Sequence, residues 1–148
     1  MLNKAKDRFV NFSNFNYKVE DFSELNFETE TFDLIISGLA IHHLDDSLKK
    51  KLFQKVEKFL KKDGWFINAD QVLGKNQISE KIYTETWKNK VLENKNLTKE
   101  EKESAFERIK LDKMSSLENQ LKWLEETGLQ SPNCYYQYYN FVVFAAKK

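Results

Sequence analysis

Two short polar turns and one strand end gather the residues of this 148-residue chain that are equipped for chemistry. Ser37-Gly38 and His42-His43 stand a few residues apart, just after the apolar run Phe32-Asp-Leu-Ile-Ile36. Asp70-Gln71 close a second apolar run that begins at Trp65. Imidazoles exchange protons near neutral pH, and a carboxylate beside them can orient a ring or accept a proton. Adjacent histidines point in different directions, and their spacing is not that of a zinc site, so no metal site is expected. For either ring, packing or helix capping is the commoner role.

The elements that must hold these groups follow from periodicity. Phe32 to Ile36, with two isoleucines, reads as a strand buried on both faces. Asp45 or Asp46 can cap the next helix and suits the positive end of its dipole. Leu48, Leu52, Phe53, Val56, Phe59 and Leu60 form one helical stripe, and the lysines between them read as its solvated face. Gly64 is placed at the helix end, in the C′ role. Trp65 to Leu73 is the next strand. Strand, polar turn, helix and strand make a βα unit of an open parallel sheet, in which ligands sit beyond the carboxyl ends of the strands. Ser37, Gly38, His42 and His43 fall there.

Elsewhere, Met1 to Phe9 is helix-like and 17–21 is a short strand ending at Glu20 and Asp21. A helix is expected from Ile78 to Glu93, with Ile78, Ile82, Trp87 and Val91 on one side. Thr98-Lys-Glu-Glu101 and Ser115-Ser-Leu-Glu118 are both capping-box patterns. The second opens a helix that carries Leu117, Leu121 and Leu124 inward and stops at Gly128, and Pro132 then breaks the chain. Tyr135 to Tyr139 and Phe141 to Ala146 are antiparallel neighbours, a closing hairpin turning at Asn140. The order βαβ, helices, hairpin reads as α/β with an antiparallel edge.

Composition narrows the function classes. Twenty-four basic and 23 acidic residues leave a net charge of +1, so nothing draws the whole chain to nucleic acid or to acidic membrane. Twelve Phe, six Tyr and three Trp supply ample apolar surface for one domain with a real core. Cys134 is the sole cysteine, which excludes an internal disulfide and fits a reducing cytosol. In a strand, such a cysteine is expected as a small buried hydrophobe. The longest apolar run falls far short of the ~20 residues of a membrane helix. With no apolar signal core at the N-terminus, a cytoplasmic protein is expected.

Taken together, Val19-Glu-Asp-Phe22, the unit from Phe32 through His42-His43-Leu44, the Lys-Lys-Asp-Gly64-Trp-Phe-Ile turn and the terminal Asn140-Phe-Val-Val-Phe144 strand resemble the C-terminal two-thirds of a class I S-adenosylmethionine-dependent methyltransferase. The middle of the chain, from Asn68-Ala-Asp-Gln-Val-Leu73 to Leu124-Glu-Glu-Thr-Gly128, is most similar to the branch holding the tRNA wobble-uridine carboxymethyltransferases. The family's glycine-rich cofactor loop has no counterpart, since the four glycines at 38, 64, 74 and 128 are all far apart. The resemblance therefore implies a truncated Rossmann-like sheet with helices on its faces and a C-terminal antiparallel hairpin. On that resemblance, residues 1–148 are expected to form a single partial domain, with 1–31 a displaced N-terminal remnant and 32–148 the core.

What the resemblance implies for function is specific. The cofactor is S-adenosylmethionine, with Asp21 accepting from the adenine amino group, Phe22 on or beside the ring, and Ser37 and Gly38 lining the cofactor. A carboxylate followed by an aromatic suits a purine's edge and face. His42, His43, Asp70 and Gln71 stand on the substrate side, with the tyrosines at 135, 136, 138 and 139 as further rim candidates; no catalytic residue is assigned. The carboxymethyl branch holds a cofactor carboxylate with an arginine. Here Leu111, in Arg108-Ile-Lys-Leu-Asp112, is nearest that position, which counts against a carboxylated cofactor. A small-molecule methyl acceptor is expected, with tRNA modification and a non-catalytic binding or assembly module as alternatives. Without the family's first strands, the Phe32 strand offers an apolar edge that invites a homo-oligomer, strand exchange or a separately encoded partner.

Overall fold

The frame of the molecule is a parallel pair of strands joined by an amphipathic helix, and a computed structural model describes it for residues 2–148. Strand β1 (Phe32–Gly38) leads through a 3-10 turn at Ile41–His43 into α2 (Asp46–Phe59), preceded in the chain by the short α1 (Leu2–Arg8). Asp45 is the N-cap of α2: its Oδ1 accepts from the Leu48 amide at 2.9 Å and from the Ser47 hydroxyl at 2.7 Å. One face of α2 buries Leu52, Phe53, Val56 and Phe59 against the sheet, where Phe53 meets Phe66. Burial of each such side chain is worth about 1.5–3 kcal/mol. The chain then enters β2 (Leu60–Gln71) directly and runs parallel to β1.

Gly64 is not the helix terminus. It sits inside β2, within the irregularity between the Phe32–Leu60 and Leu34–Trp65 pairings, while Asp63 takes the left-handed conformation (φ 66°). A Cβ at Gly64 would come within 2.9 Å of the Lys61 carbonyl and 3.1 Å of the Asp33 carbonyl, so close backbone approach is what requires glycine there.

Beyond β2 come α3 (Gln77–Glu93), α4 (Lys99–Arg108), a 3-10 turn at Ile109–Leu111 and α5 (Leu117–Glu126). Thr98 and Glu101 form the expected capping box on α4. On α5 the cap lies one residue later than the sequence pattern suggested, at Ser116, whose side chain accepts from the Asn119 amide; Ser115 is buried and bonds elsewhere. The apolar side expected on α3 is not buried: Ile78 and Ile82 are exposed, and Trp87 packs edge-on to Phe106 of α4.

The chain closes with β3 (Gln130–Tyr138) and β4 (Phe141–Lys147), giving the sheet order β1-β2-β4-β3. β4 is antiparallel to both neighbours, and Tyr139-Asn140 makes the hairpin turn, with Tyr139 at φ 53°. Pro132 does not break the chain. It lies within β3, an edge strand, at an irregularity where Ser131 is left-handed (φ 50°), a place that tolerates a missing amide. Cys134 is half-buried in the same strand. The core gathers Phe53, Leu60, Phe66, Leu124, Val142 and Phe144. Among the described residues no helix is long and apolar enough to cross a membrane.

Three further expectations need correction. Residues 17–21 form no strand, since among the described residues β1 has β2 as its single neighbour and no ladder waits for them. For the same reason β1 is not buried on both faces: Leu34 is 48 % and Ile36 66 % exposed at an open, apolar edge. Nor are all the lysines of α2 solvated. Lys49 is fully buried, on the face turned toward residues 113–115.

Candidate functional site

The carboxyl ends of β1 and β2 place the chemistry-bearing residues on one rim of the sheet. Ser37 pairs with Asn68 and Gly38 with Ala69, so Asp70 emerges one position beyond the end of β1. The chain leaving β1 turns back at Leu39, which is left-handed (φ 50°) and donates its amide to the Ala69 carbonyl at 2.9 Å. The 3-10 turn that follows drops His42 onto Asp70. Its backbone amide donates to Asp70 Oδ2 at 3.0 Å, and its ring Nδ1 lies 2.5 Å from Asp70 Oδ1.

A carboxylate only accepts, so that short contact puts a proton on Nδ1 and leaves Nε2 of the neutral ring bare. Nε2 faces Asp112, with Oδ1 at 3.6 Å. The same Asp112 oxygen is 3.2 Å from Nδ1 of His43. The two histidine rings therefore converge, with centroids 4.0 Å apart, rather than pointing in different directions. The tight turn carries both side chains to one carboxylate. His42 is buried and His43 half exposed, while the side chains of Asp70 and Asp112 are almost wholly buried. The hydrogen bond from Asp70, reinforced by the charges of Asp70 and Asp112, raises the affinity of His42 for its second proton above the ordinary value, against the opposing effect of burial.

His42, His43 and Gln71 line a cavity of about 410 Å³ together with Trp87, Arg108 and Asp112. The cavity thus brings together three of the four residues expected on the substrate side, and the fourth, Asp70, bonds to His42 at its margin. The structure adds two groups that sequence reading missed. Asp112 carries no signal of its own in Arg108-Ile-Lys-Leu-Asp112, and Leu111 beside it is 73 % exposed. Lys49 was assigned to the solvated face; its ammonium instead donates to the Lys113 carbonyl and, at 2.7 Å, to Ser115 Oγ. Burial lowers its affinity for the proton. Neither position carries a local motif, because each is defined by a partner 66 to 70 residues away along the chain, Ser115 for Lys49 and His42 for Asp112.

The residues read as cofactor-binding divide into two places. Phe22, Ser37 and Gly38 line one apolar cavity of about 430 Å³ along the free edge of β1, closed on its other side by Leu25 and Phe27. Asp21 lies outside it, in a separate polar hollow. Its carboxylate accepts from the amide and the hydroxyl of Ser23, at 2.9 and 2.7 Å, and these bonds hold it below the usual carboxylate range. The tyrosines at 135, 136 and 138 stand on the exposed edge strand and Tyr139 in the turn that follows; Tyr136 borders a further apolar hollow with Gly38 and Asp70.

A sequence profile described as a methyltransferase domain matches residues 1–68. Over its whole length the chain is 24 % identical to the carboxy-S-adenosyl-L-methionine synthase of Helicobacter pylori and covers 61 % of it. Among solved structures, phosphoethanolamine N-methyltransferase 2 of Haemonchus contortus, in complex with S-adenosyl-L-methionine, superposes with a TM-score of 0.66 at 18 % identity. That match covers 100 % of this chain and 41 % of the other. An O-methyltransferase family protein of Burkholderia thailandensis gives 0.69 at 9 % identity, covering 99 % and 40 %. At such identities the structural likeness is one of fold. The chain thus spans less than two thirds of the length of each of these proteins.

Proposed function

On the premise that this chain is similar in sequence and in fold to the class I S-adenosylmethionine-dependent methyltransferases, we propose that it serves methyl transfer from S-adenosylmethionine to a small molecule. The observation that supports this most is the shared rim. Ser37 and Gly38 at the end of β1, and Asp70 and Gln71 at the end of β2, flank the position where open α/β sheets bind ligands. Phe22, Ser37 and Gly38 are the cofactor side, and His42, His43 and Gln71 the acceptor side, with Asp70 fixing the His42 ring. Asp21 serves the adenine amino group once its turn with Ser23 opens. Methyl transfer asks chiefly for alignment of nucleophile and sulfonium, with a proton acceptor only where the nucleophile is protonated. A near-neutral surface favours a small acceptor over tRNA.

The same reading assigns a role to the free edge of β1. Its exposed Leu34 and Ile36, with the apolar cavity beside them, suit addition of a strand, from a second copy or from a further segment, that would complete the cofactor side.

A second reading has one observation in its favour. Arg108 lines the acceptor cavity, and a guanidinium there suits a carboxylate on either acceptor or cofactor. It agrees with the carboxy-S-adenosyl-L-methionine synthase of the sequence comparison.

Calorimetric titration of the chain with S-adenosylhomocysteine, its oligomeric mass recorded alongside, tests the assignment. Saturable binding with one ligand per chain is expected. No binding at any accessible concentration, by monomer or oligomer, removes the cofactor role from this chain. A parallel titration with carboxylated S-adenosylmethionine, tighter in the parent than in Arg108→Ala, would favour the second reading.

A further inference from the structure

His42, His43 and Asp112 each offer one donor atom within 4.8 Å of the other two, on two segments about seventy residues apart in sequence. The spacing has a metric meaning. Around a tetrahedral zinc ion with bonds of about 2.0–2.1 Å, neighbouring donor atoms stand about 3.3 Å apart. The separations from Asp112 Oδ1 are 3.6 Å to His42 Nε2 and 3.2 Å to His43 Nδ1. The two segments are also tied at the backbone, where the Lys113 amide donates to the His42 carbonyl at 2.8 Å. The donor spacing is therefore set by main-chain structure as well as by the side chains themselves.

Two independent features suit these donors to a cation. First, Asp112 is a carboxylate with 7 % of its side chain exposed, and its ionic contacts among the described residues are the two imidazoles alone. A buried carboxylate needs compensating charge. Second, His42 presents Nε2 toward that carboxylate while its other nitrogen is held by Asp70, itself buried and anchored by the amides of His42 and Gln71. A carboxylate on the far nitrogen is the outer-shell arrangement that fixes the tautomer and raises the basicity of a metal-bound histidine. The charges of Asp70 and Asp112 together equal those of one divalent ion.

We propose that His42, His43 and Asp112 bind a divalent transition-metal ion of the zinc class, with Asp70 as the outer-shell orienting group. Three protein donors leave a position open, and the donors border the cavity that also holds Gln71 and Arg108. That position takes water or the oxygen or sulfur atom of an acceptor. This use of the site, unlike the site itself, rests on the methyl-transfer reading. A hydroxyl or thiol on the ion releases its proton to solvent. Its lone pair then forms the bond to the methyl carbon as the carbon–sulfur bond of the sulfonium breaks to a thioether.

The test uses the full untagged chain, stripped with chelator and titrated separately with Zn²⁺ by calorimetry and with Co²⁺ by visible absorption. One equivalent of Zn²⁺ is expected to bind, and Co²⁺ to develop the intense bands of a low-coordinate nitrogen–oxygen site. His43→Gln and Asp112→Asn should each weaken binding at least tenfold, with circular dichroism unchanged. Asp70→Asn should weaken it about 10–100-fold while keeping the cobalt band pattern. No saturable uptake by the parent chain would overturn the proposal, as would equal affinity in His43→Gln. Metal uptake is read without cofactor, so its failure and a failure to bind S-adenosylhomocysteine are separate results.

Discussion

Replacing Lys49 by methionine removes a fully buried ammonium while nearly preserving the volume of the side chain. In the native protein that ammonium donates to the Lys113 carbonyl and to Ser115 Oγ, and the Ser115 hydroxyl in turn donates to Asp46 Oδ1 at 2.5 Å. Two charge-assisted hydrogen bonds are worth about 1.5–3 kcal/mol each. Against them stands the cost of keeping an ammonium out of water, several kcal/mol. Asp46 has 59 % of its side chain exposed, so the variant strands no buried charge. The net loss for Lys49→Met is then about 2 kcal/mol at neutral pH, or a fall in Tm of about 4–8 °C for a chain of this size.

Its pH dependence has a definite sign. Burial lowers the Lys49 value below its ordinary 10.5, an effect that Asp46 and Asp70 only partly offset. Between the folded value and 10.5 the unfolded chain binds one proton more than the folded one, so native stability gains with rising pH. The methionine variant lacks that gain. Urea melts of both proteins from about pH 7 to about pH 10 should show the gap between them widening upward. A penalty that stays flat or narrows would refute the burial of a charged lysine at this position.

The remaining predictions concern the frame around the site. Gly74→Ala should destabilise the protein by more than 2 kcal/mol on the order-of-magnitude scale of overpacking, read as a Tm shift, because its Cβ would meet the Glu80 amide nitrogen at 2.3 Å. Asp45→Ala should cost about 1 kcal/mol in denaturant melts through loss of the α2 cap, while Asp45→Asn should restore most of it. The proposed strand pairing at the open edge of β1 predicts that the parent chain sediments as an oligomer and that Ile36→Lys shifts it toward monomer; a monomeric parent, or an oligomer that the substitution leaves unchanged, would refute it.

Local patterns carried the frame. The α2 stripe, the Asp45 cap, the Thr98–Glu101 capping box and the closing hairpin each depend on residues within a turn or two of one another. Composition and spacing therefore determine them, and with them the α/β class and the rim where Ser37, Gly38, His42, His43, Asp70 and Gln71 stand. Errors fell where a neighbour distant in sequence decides the outcome. Gly64 is a strand residue because the carbonyls of Lys61 and Asp33 crowd it, and Pro132 is tolerated because β3 is an edge. Residues 17–21 have no ladder to join, and β1, expected buried on both faces from its own residues, is exposed at Leu34 and Ile36 along the open edge that the family resemblance implied.

The site divides along the same line. Its histidines and Asp70 are legible as polar residues at strand ends, a consequence of how open sheets terminate. Their mutual orientation is not, because it depends on the left-handed turn at Leu39 and on the amide of Lys113 reaching the His42 carbonyl. Asp112 and Lys49 acquire their roles only when the loop at 109–115 folds against α2 and the 3-10 turn at Ile41–His43. Sequence thus determined the elements and the end of the sheet at which chemistry belongs. Tertiary structure alone decided which charges are buried together, since desolvation and pairing are properties of what surrounds a group in space.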